Sequence, residues 1–70
     1  MPSPTSDHAE LSSLRALLDD SLRRIDAIAD GYRNREDTMV ASDLETAERS
    51  LVAAGRAVDR ALKALGTMKG

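Results

Sequence analysis

The chain has no cysteine, no tryptophan and no phenylalanine, and its one aromatic residue is Tyr32. Without thiols, neither a disulfide nor a thiolate zinc site can hold a small fold together. Proline is confined to Pro2 and Pro4, and glycine to Gly31, Gly55, Gly66 and Gly70, so the interior is short of the residues that make turns. No apolar run approaches the roughly 18 residues that span a bilayer. The opening Met1-Pro2-Ser3-Pro4 also lacks the charged and apolar regions of a secretory signal, so a cytoplasmic protein that does not enter a membrane is expected. A basic excess is missing too. Ten Lys and Arg stand against twelve Asp and Glu, for a net charge of −2 and a pI near 5.2, and this argues against a nucleic-acid partner.

What is present favours helix. The composition is 41% hydrophobic and 31% charged, with an Ala/Leu/Arg/Asp/Glu bias that is globular and helix-forming. Two ladders with a seven-residue step run through it: Leu11, Leu18, Ile25 and Tyr32, then Leu44, Leu51, Val58 and Leu65. Folding the chain back about Thr38 opposes Leu11 to Leu65, Leu18 to Val58, Ile25 to Leu51 and Tyr32 to Leu44. The expected fold is all-α, an antiparallel two-helix hairpin with a heptad Leu/Ala seam. With each ladder labelled a, the d positions are Leu14, Ser21 and Ile28 in the first helix and Ala47, Ala54 and Ala61 in the second. Alanine at d lets helices approach closely, and Ser21 is expected across from Ala54 and Gly55 in a waist of small side chains. Gly55 costs roughly 1 kcal/mol within a helix, which close backbone approach would offset. A notch for a small ligand or partner is the other reading of that waist.

The element boundaries follow from capping chemistry. Residues 1–5 are expected to be a disordered tail, because Pro2 and Pro4 favour extended neighbours. Helix one is expected over about residues 7–33, with Asp7 and Glu10 resembling a capping box. Gly31 could stop it at Asp30, but Tyr32 continues the ladder. The turn falls at about 34–37 and helix two at about 38–65, with a second possible start at Ser42-Asp43-Leu44-Glu45. Gly66 is expected as a C-cap and residues 67–70 as a frayed end.

At 70 residues the burial available to one hairpin scarcely matches its conformational entropy. Leu17 and Leu22 on the first helix, and Val52, Ala57, Leu62 and Ala64 on the second, extend the apolar surface beyond the a/d seam. A homodimeric four-helix bundle would cover them, the alternatives being a loosely ordered monomer or a stripe that belongs to a different protein. The expected core and interface residues are Leu11, Leu14, Leu18, Leu22, Ile25, Ile28, Leu44, Leu51, Val58, Leu62 and Leu65.

The charges read as solvated faces. Arg15 with Asp19, Asp19 with Arg23, Asp20 with Arg24, Glu45 with Arg49 and Asp59 with Lys63 are each four residues apart, a spacing that supports weak pairing along one helix. Arg23, Arg24, Arg33 and Arg35 near the turn form a candidate patch for an anion or an acidic partner. Interleaved Asp26, Asp30, Glu36 and Asp37 favour solvation there instead.

No constellation has the composition of a catalytic, metal or cofactor site. A triad or general base built on His8 would need a nucleophile and an orienting acid held rigidly nearby, but His8 sits at the frayed start of helix one. No Glu-x-x-His motif suits a di-metal bundle, and the glycines are too scattered for a phosphate loop. Leu11-Ser12-Ser13-Leu14-Arg15-Ala16-Leu17-Leu18-Asp19 nevertheless resembles the opening helix of all-helical chorismate mutases. That resemblance would give Arg15 the task of binding a substrate carboxylate. The family's further arginine and lysine and its third helix have no counterpart here. The hairpin architecture is also similar to that of small secreted helical hairpins with a Trp-x-Gly turn. This chain has Asp30-Gly31-Tyr32 before its turn, without the tryptophan, and lacks the tyrosine-acidic secretion signal at the end of helix two.

The functional expectation is therefore a non-enzymatic protein–protein interaction module. It would be a small homodimeric bundle that meets a larger protein as an adaptor, antitoxin-like antagonist or regulatory subunit, with no cofactor. The alternative is a ligand-responsive regulator that binds a small anion or nucleotide at the arginine-rich turn end or dimer seam. A chorismate-mutase-like enzyme is the remote alternative.

Overall fold

A computed structural model of the chain describes residues 3–35 and 38–68. Two α-helices, α1 (Pro4–Arg33) and α2 (Thr38–Gly66), pack against each other as a hairpin. The described residues include no strand.

Helix α1 begins earlier than Asp7. Pro4 occupies the first turn, where its missing N–H costs no hydrogen bond. Ser3 is the N-cap, with extended backbone and a side chain that accepts from the Ser6 N–H at 3.4 Å. Residues 4 and 5, expected in a disordered tail, are thus helical, while Met1 and Pro2 lie outside the described residues. The helix continues through Gly31 to Arg33, and Asn34 Nδ2 donates to the Asp30 carbonyl at its end. Of the expected turn, Glu36 and Asp37 lie outside the described residues. Helix α2 starts at Thr38, which leaves Ser42 inside it. At the far end, Gly66 is the last helical residue and does not adopt positive φ, so it makes no left-handed cap. Thr67 closes the helix instead, its Oγ1 donating to the Ala64 carbonyl at 2.8 Å. Lys69 and Gly70 lie outside the described residues.

The ladders do face one another. Leu11, Leu18, Ile25 and Tyr32 are half-buried against α2, as are Leu44, Leu51, Val58 and Leu65 against α1. Their seam partners differ from the expected d positions. The residue four after each ladder residue turns inward, which brings Arg15, Leu22 and Ala29 into α1's inner face and Glu48, Gly55 and Leu62 into α2's. Leu14, Ser21 and Ile28, three after the ladder, are exposed, as are Ala54 and Ala61. Ala47 is half-buried beside them. Both steps preserve a seven-residue repeat, but one rotates about +40° from the ladder and the other about −60°. The most enclosed side chains are still small, as Ala29 (0% exposed) and Ala41 (7%) rather than Ala47, Ala54 and Ala61. Leu22 and Leu62, expected as flanking residues, belong to the seam itself.

The hairpin is long and thin, 53 × 17 × 15 Å, with a radius of gyration of 15.9 Å, where a compact chain of this length would have about 11 Å. Among the described residues no large side chain is fully buried. The accessible surface is 5357 Å², against about 4,250 Å² for a compact monomer of this mass.

Candidate functional site

Helical spacing divides the hairpin into two broad faces. One flank of the seam carries the residues that follow the ladder directly: Asp19, Asp26 and Arg33 in α1, and Glu45, Val52 and Asp59 in α2. In an antiparallel pair, equivalent flanks of the two helices look the same way, and cross-helix ion pairs bear this out. Arg15 Nε meets Asp59 Oδ1 at 2.8 Å, Nη2 meets Oδ2 of the same carboxylate at 3.3 Å, and Nη1 meets Asp19 at 2.6 Å. The two-pronged contact with Asp59 fixes orientation as well as charge.

Nearer the turn, Arg33 serves four carboxylates. Nη1 lies 2.5 Å from Asp30 and 3.2 Å from Asp26, while Nε reaches Glu45 at 3.3 Å and Nη2 reaches Glu48 at 3.0 Å. The Arg15 guanidinium is held above its usual proton affinity first by Asp59 and then by Asp19. Arg33 is shifted the same way, first by Asp30 and then by Glu45. Both therefore act as permanent cations that tie one helix to the other. Both side chains remain about a quarter exposed, so the ties lie at a wet surface rather than in a core.

Gly55 makes room for the first of these ties. A Cβ at this position would stand 2.8 Å from Arg15 Cζ and 3.0 Å from both Nη atoms. The glycine expected opposite Ser21 in a packed waist is instead the floor beneath the Arg15 guanidinium. Gly31 has no such neighbour within 4 Å.

The opposite flank carries Leu14, Ser21 and Ile28 from α1 and Ala47, Ala54, Ala61 and Met68 from α2. Leu17, Ala57 and Ala64 lie one step further round. Leu14 is 46% exposed, Leu17 59% and Ile28 56%. By the same spacing Asp7 shares the column of Leu14, Ser21 and Ile28 at the start of α1, and Glu10, Arg24 and Asp43 share the column of Leu17, Ala57 and Ala64.

The four arginines of the candidate anion patch are not brought together. Arg23 and Arg24 both lean towards Asp20 on the outer side of α1, at 3.3 and 3.8 Å. Arg35 lies over the Tyr32 ring, 5.8 Å from its centroid. Arg33 and Arg35 share a shallow cleft of about 260 Å³ with Tyr32, Ala41, Ser42 and Glu45, and Arg33 is already bound to its own carboxylates there. Arg15, the residue the chorismate mutase resemblance would assign to a substrate, is likewise held by Asp19 and Asp59. Among the described residues, no group of His, Asp or Glu is arranged to hold a metal ion, and no helix is long and apolar enough to cross a membrane.

Sequence reasoning missed the cross-helix partners of Arg15 and Arg33. It paired Asp59 with Lys63 and Glu45 with Arg49, whereas both carboxylates turn across the hairpin. The available signal was a charged residue four after a ladder residue (Arg15, Glu48) or directly after one (Arg33, Glu45, Asp59), close enough to the seam to reach over it. Compared with known proteins, the chain matches no family, no curated protein and no solved structure.

Proposed function

We propose that this protein is a non-enzymatic interaction module, a homodimer of hairpins that meets a larger protein as an adaptor, antitoxin-like antagonist or regulatory subunit. The observation that carries this reading is the apolar flank: Leu14, Leu17 and Ile28 stand exposed beside a run of alanines, in a hairpin whose own seam fully encloses only small residues. Covering a leucine side chain is worth about 1.5–3 kcal/mol. Pairing two such flanks forms a four-helix bundle.

The surface area supports the same reading. The hairpin exposes about 1,100 Å² more than a compact monomer of its mass, and a standard protein interface removes about 800 Å² from each partner. The charged flank then faces outward on both sides of the bundle and is available to a larger protein.

An anion-responsive regulator has less support, because Arg33 already serves four carboxylates and Arg23 and Arg24 share Asp20.

Light scattering across a dilution series, with helicity recorded at each concentration, tests the proposal. The expected result is a dimer of strongly helical chains, with helicity falling as dilution dissociates it. A monomer at every concentration would overturn self-association and leave the apolar flank to a different protein.

A further inference from the structure

Two symmetric ways exist to press one apolar flank onto another. In the first, a two-fold axis runs along the helices, both turns lie at the same end, and α1 of one copy rests on α2 of the other. In the second, the axis crosses the helices, the turns lie at opposite ends, α1 rests on α1 and α2 on α2. Resting on the dimer proposed above, we infer that the hairpins pair in the first way, with a second copy of this chain as the occupant of the apolar flank.

The side chains decide between the two. On this flank α1 presents Leu14, Leu17 and Ile28, with Ser21 as its one small residue between them, whereas α2 presents Ala47, Ala54, Ala57, Ala61 and Ala64, with Met68 just past its end. A two-fold axis along the helices leaves every residue at its own height, so the register is set by the hairpin itself. Within the hairpin, Arg15 meets Asp59 and Arg33 meets Glu45, so Leu14 is level with Ala61, Ser21 with Ala54 and Ile28 with Ala47. In the dimer the same levels put Leu14 on Ala61 of the second copy and Ile28 on Ala47 of the second copy. The Leu14 and Ile28 layers then each combine a large with a small side chain, which favours interdigitation.

The crossed arrangement stacks Leu14 towards Ile28 along one edge and alanine on alanine along the other. Helix axes separate by about 8 Å over small side chains and about 10 Å over large ones. The bundle would have to splay along its leucine edge or leave its alanine edge unpacked. Ser21 and Ala54, small on both sides, allow closest approach at the middle of the same-end arrangement.

The absence of native cysteine permits a single-site test. Arg35→Cys places one spin label on the exposed turn end of each hairpin, and pulsed dipolar spectroscopy on the dimer reads the distance between the two labels. The same-end arrangement is expected to give less than about 30 Å, whereas opposite ends would place the labels about 40–45 Å apart or more, from the rise per residue of these helices. A long distance in a sample that scatters as a dimer overturns this arrangement and leaves the dimer intact. A sample that scatters as a monomer overturns both. A second variant, Ile28→Asp, changes a residue outside the hairpin seam and is expected to halve the scattering mass at concentrations where the unaltered chain is dimeric. A dimer that survived it would place the contact on a different face.

Discussion

On one broad side of this hairpin, Arg15 and Arg33 gather six carboxylates and bind α1 to α2. On the other side, among the described residues, no ion pair crosses, and Leu14, Leu17 and Ile28 lie exposed beside alanines. The two sides are built on the same pair of ladders and differ only in which residues flank them. The charged side ties the helices in the register of the ladders but encloses no apolar surface, because its ties are exposed to water and to screening by salt. The apolar side has the means to exclude water but lacks a second layer. A hairpin that divides its work this way joins its helices through an apolar seam and surface ion pairs, and leaves a second apolar strip uncovered by its described residues.

The comparison is broken most severely in the seam that both sides share. Leu18→Asp removes a half-buried leucine worth about 1.5–3 kcal/mol and places an unpaired charge between the helices. In a fold this small, loss of most of the helical circular dichroism signal is expected. Retention of wild-type mass and helicity would mean that Leu18 does not hold the hairpin together.

Leu17→Asp acts on the apolar side alone. Symmetry counts it twice, so a dissociation constant weaker by about 100-fold or more is expected from sedimentation or scattering. An unchanged constant would remove Leu17 from the interface.

The two interior glycines sharpen the comparison further. Gly31 sits in α1 with nothing near it and no positive φ, so Gly31→Ala is expected to stabilise by about 0.5–1 kcal/mol, read as a rise in melting temperature. Gly55→Ala makes the same gain in helix propensity but pushes against the Arg15 guanidinium. That group is the far end of a flexible side chain and yields at the cost of its fit to Asp59. The expected net effect is close to zero. In an Arg15→Ala background the same substitution should recover the full gain, which a double-mutant cycle measures. Equal effects at both glycines in the unaltered chain would mean that Arg15 does not depend on Gly55.

The smallest effects concern pH and salt. A raised proton affinity means the folded state holds the Arg15 and Arg33 protons more tightly than the unfolded state does. Their contribution is complete below the ordinary guanidinium range and is lost only as pH rises beyond it. Between pH 6 and 10 neither residue is expected to add slope to the melting temperature, and an alkaline loss removed by Arg33→Gln would contradict this. Salt at about 1 M shortens screening to about 3 Å. It should lower the melting temperature by no more than about 5 °C through the charged side, while the dimer constant, carried by the apolar side, weakens little. A dimer that dissolved in salt would be held by charge.

The sequence by itself determined the hairpin. The ladders from Leu11 to Tyr32 and from Leu44 to Leu65 give two helices of matched length. Their register follows, because a seven-residue apolar repeat allows only one face to be buried and only one antiparallel alignment that opposes every rung. The turn region was legible from Asn34 and Arg35, and the passage of α1 through Gly31 from the ladder residue that follows it. The start of α1 was not, because Pro4 reads as a helix breaker until Ser3 is seen capping the turn in which Pro4 stands. What only the tertiary structure decided was which residues flank the ladders inward. Steps of three and of four from a ladder residue preserve the same period, and a linear pattern does not distinguish them. The choice depends on how two right-handed helices lean together and on which side chains can reach across. Here that choice turned Arg15, Gly55 and Ala29 inward and Leu14, Ile28 and Ala54 outward, and so gave the molecule its charged face and its apolar face.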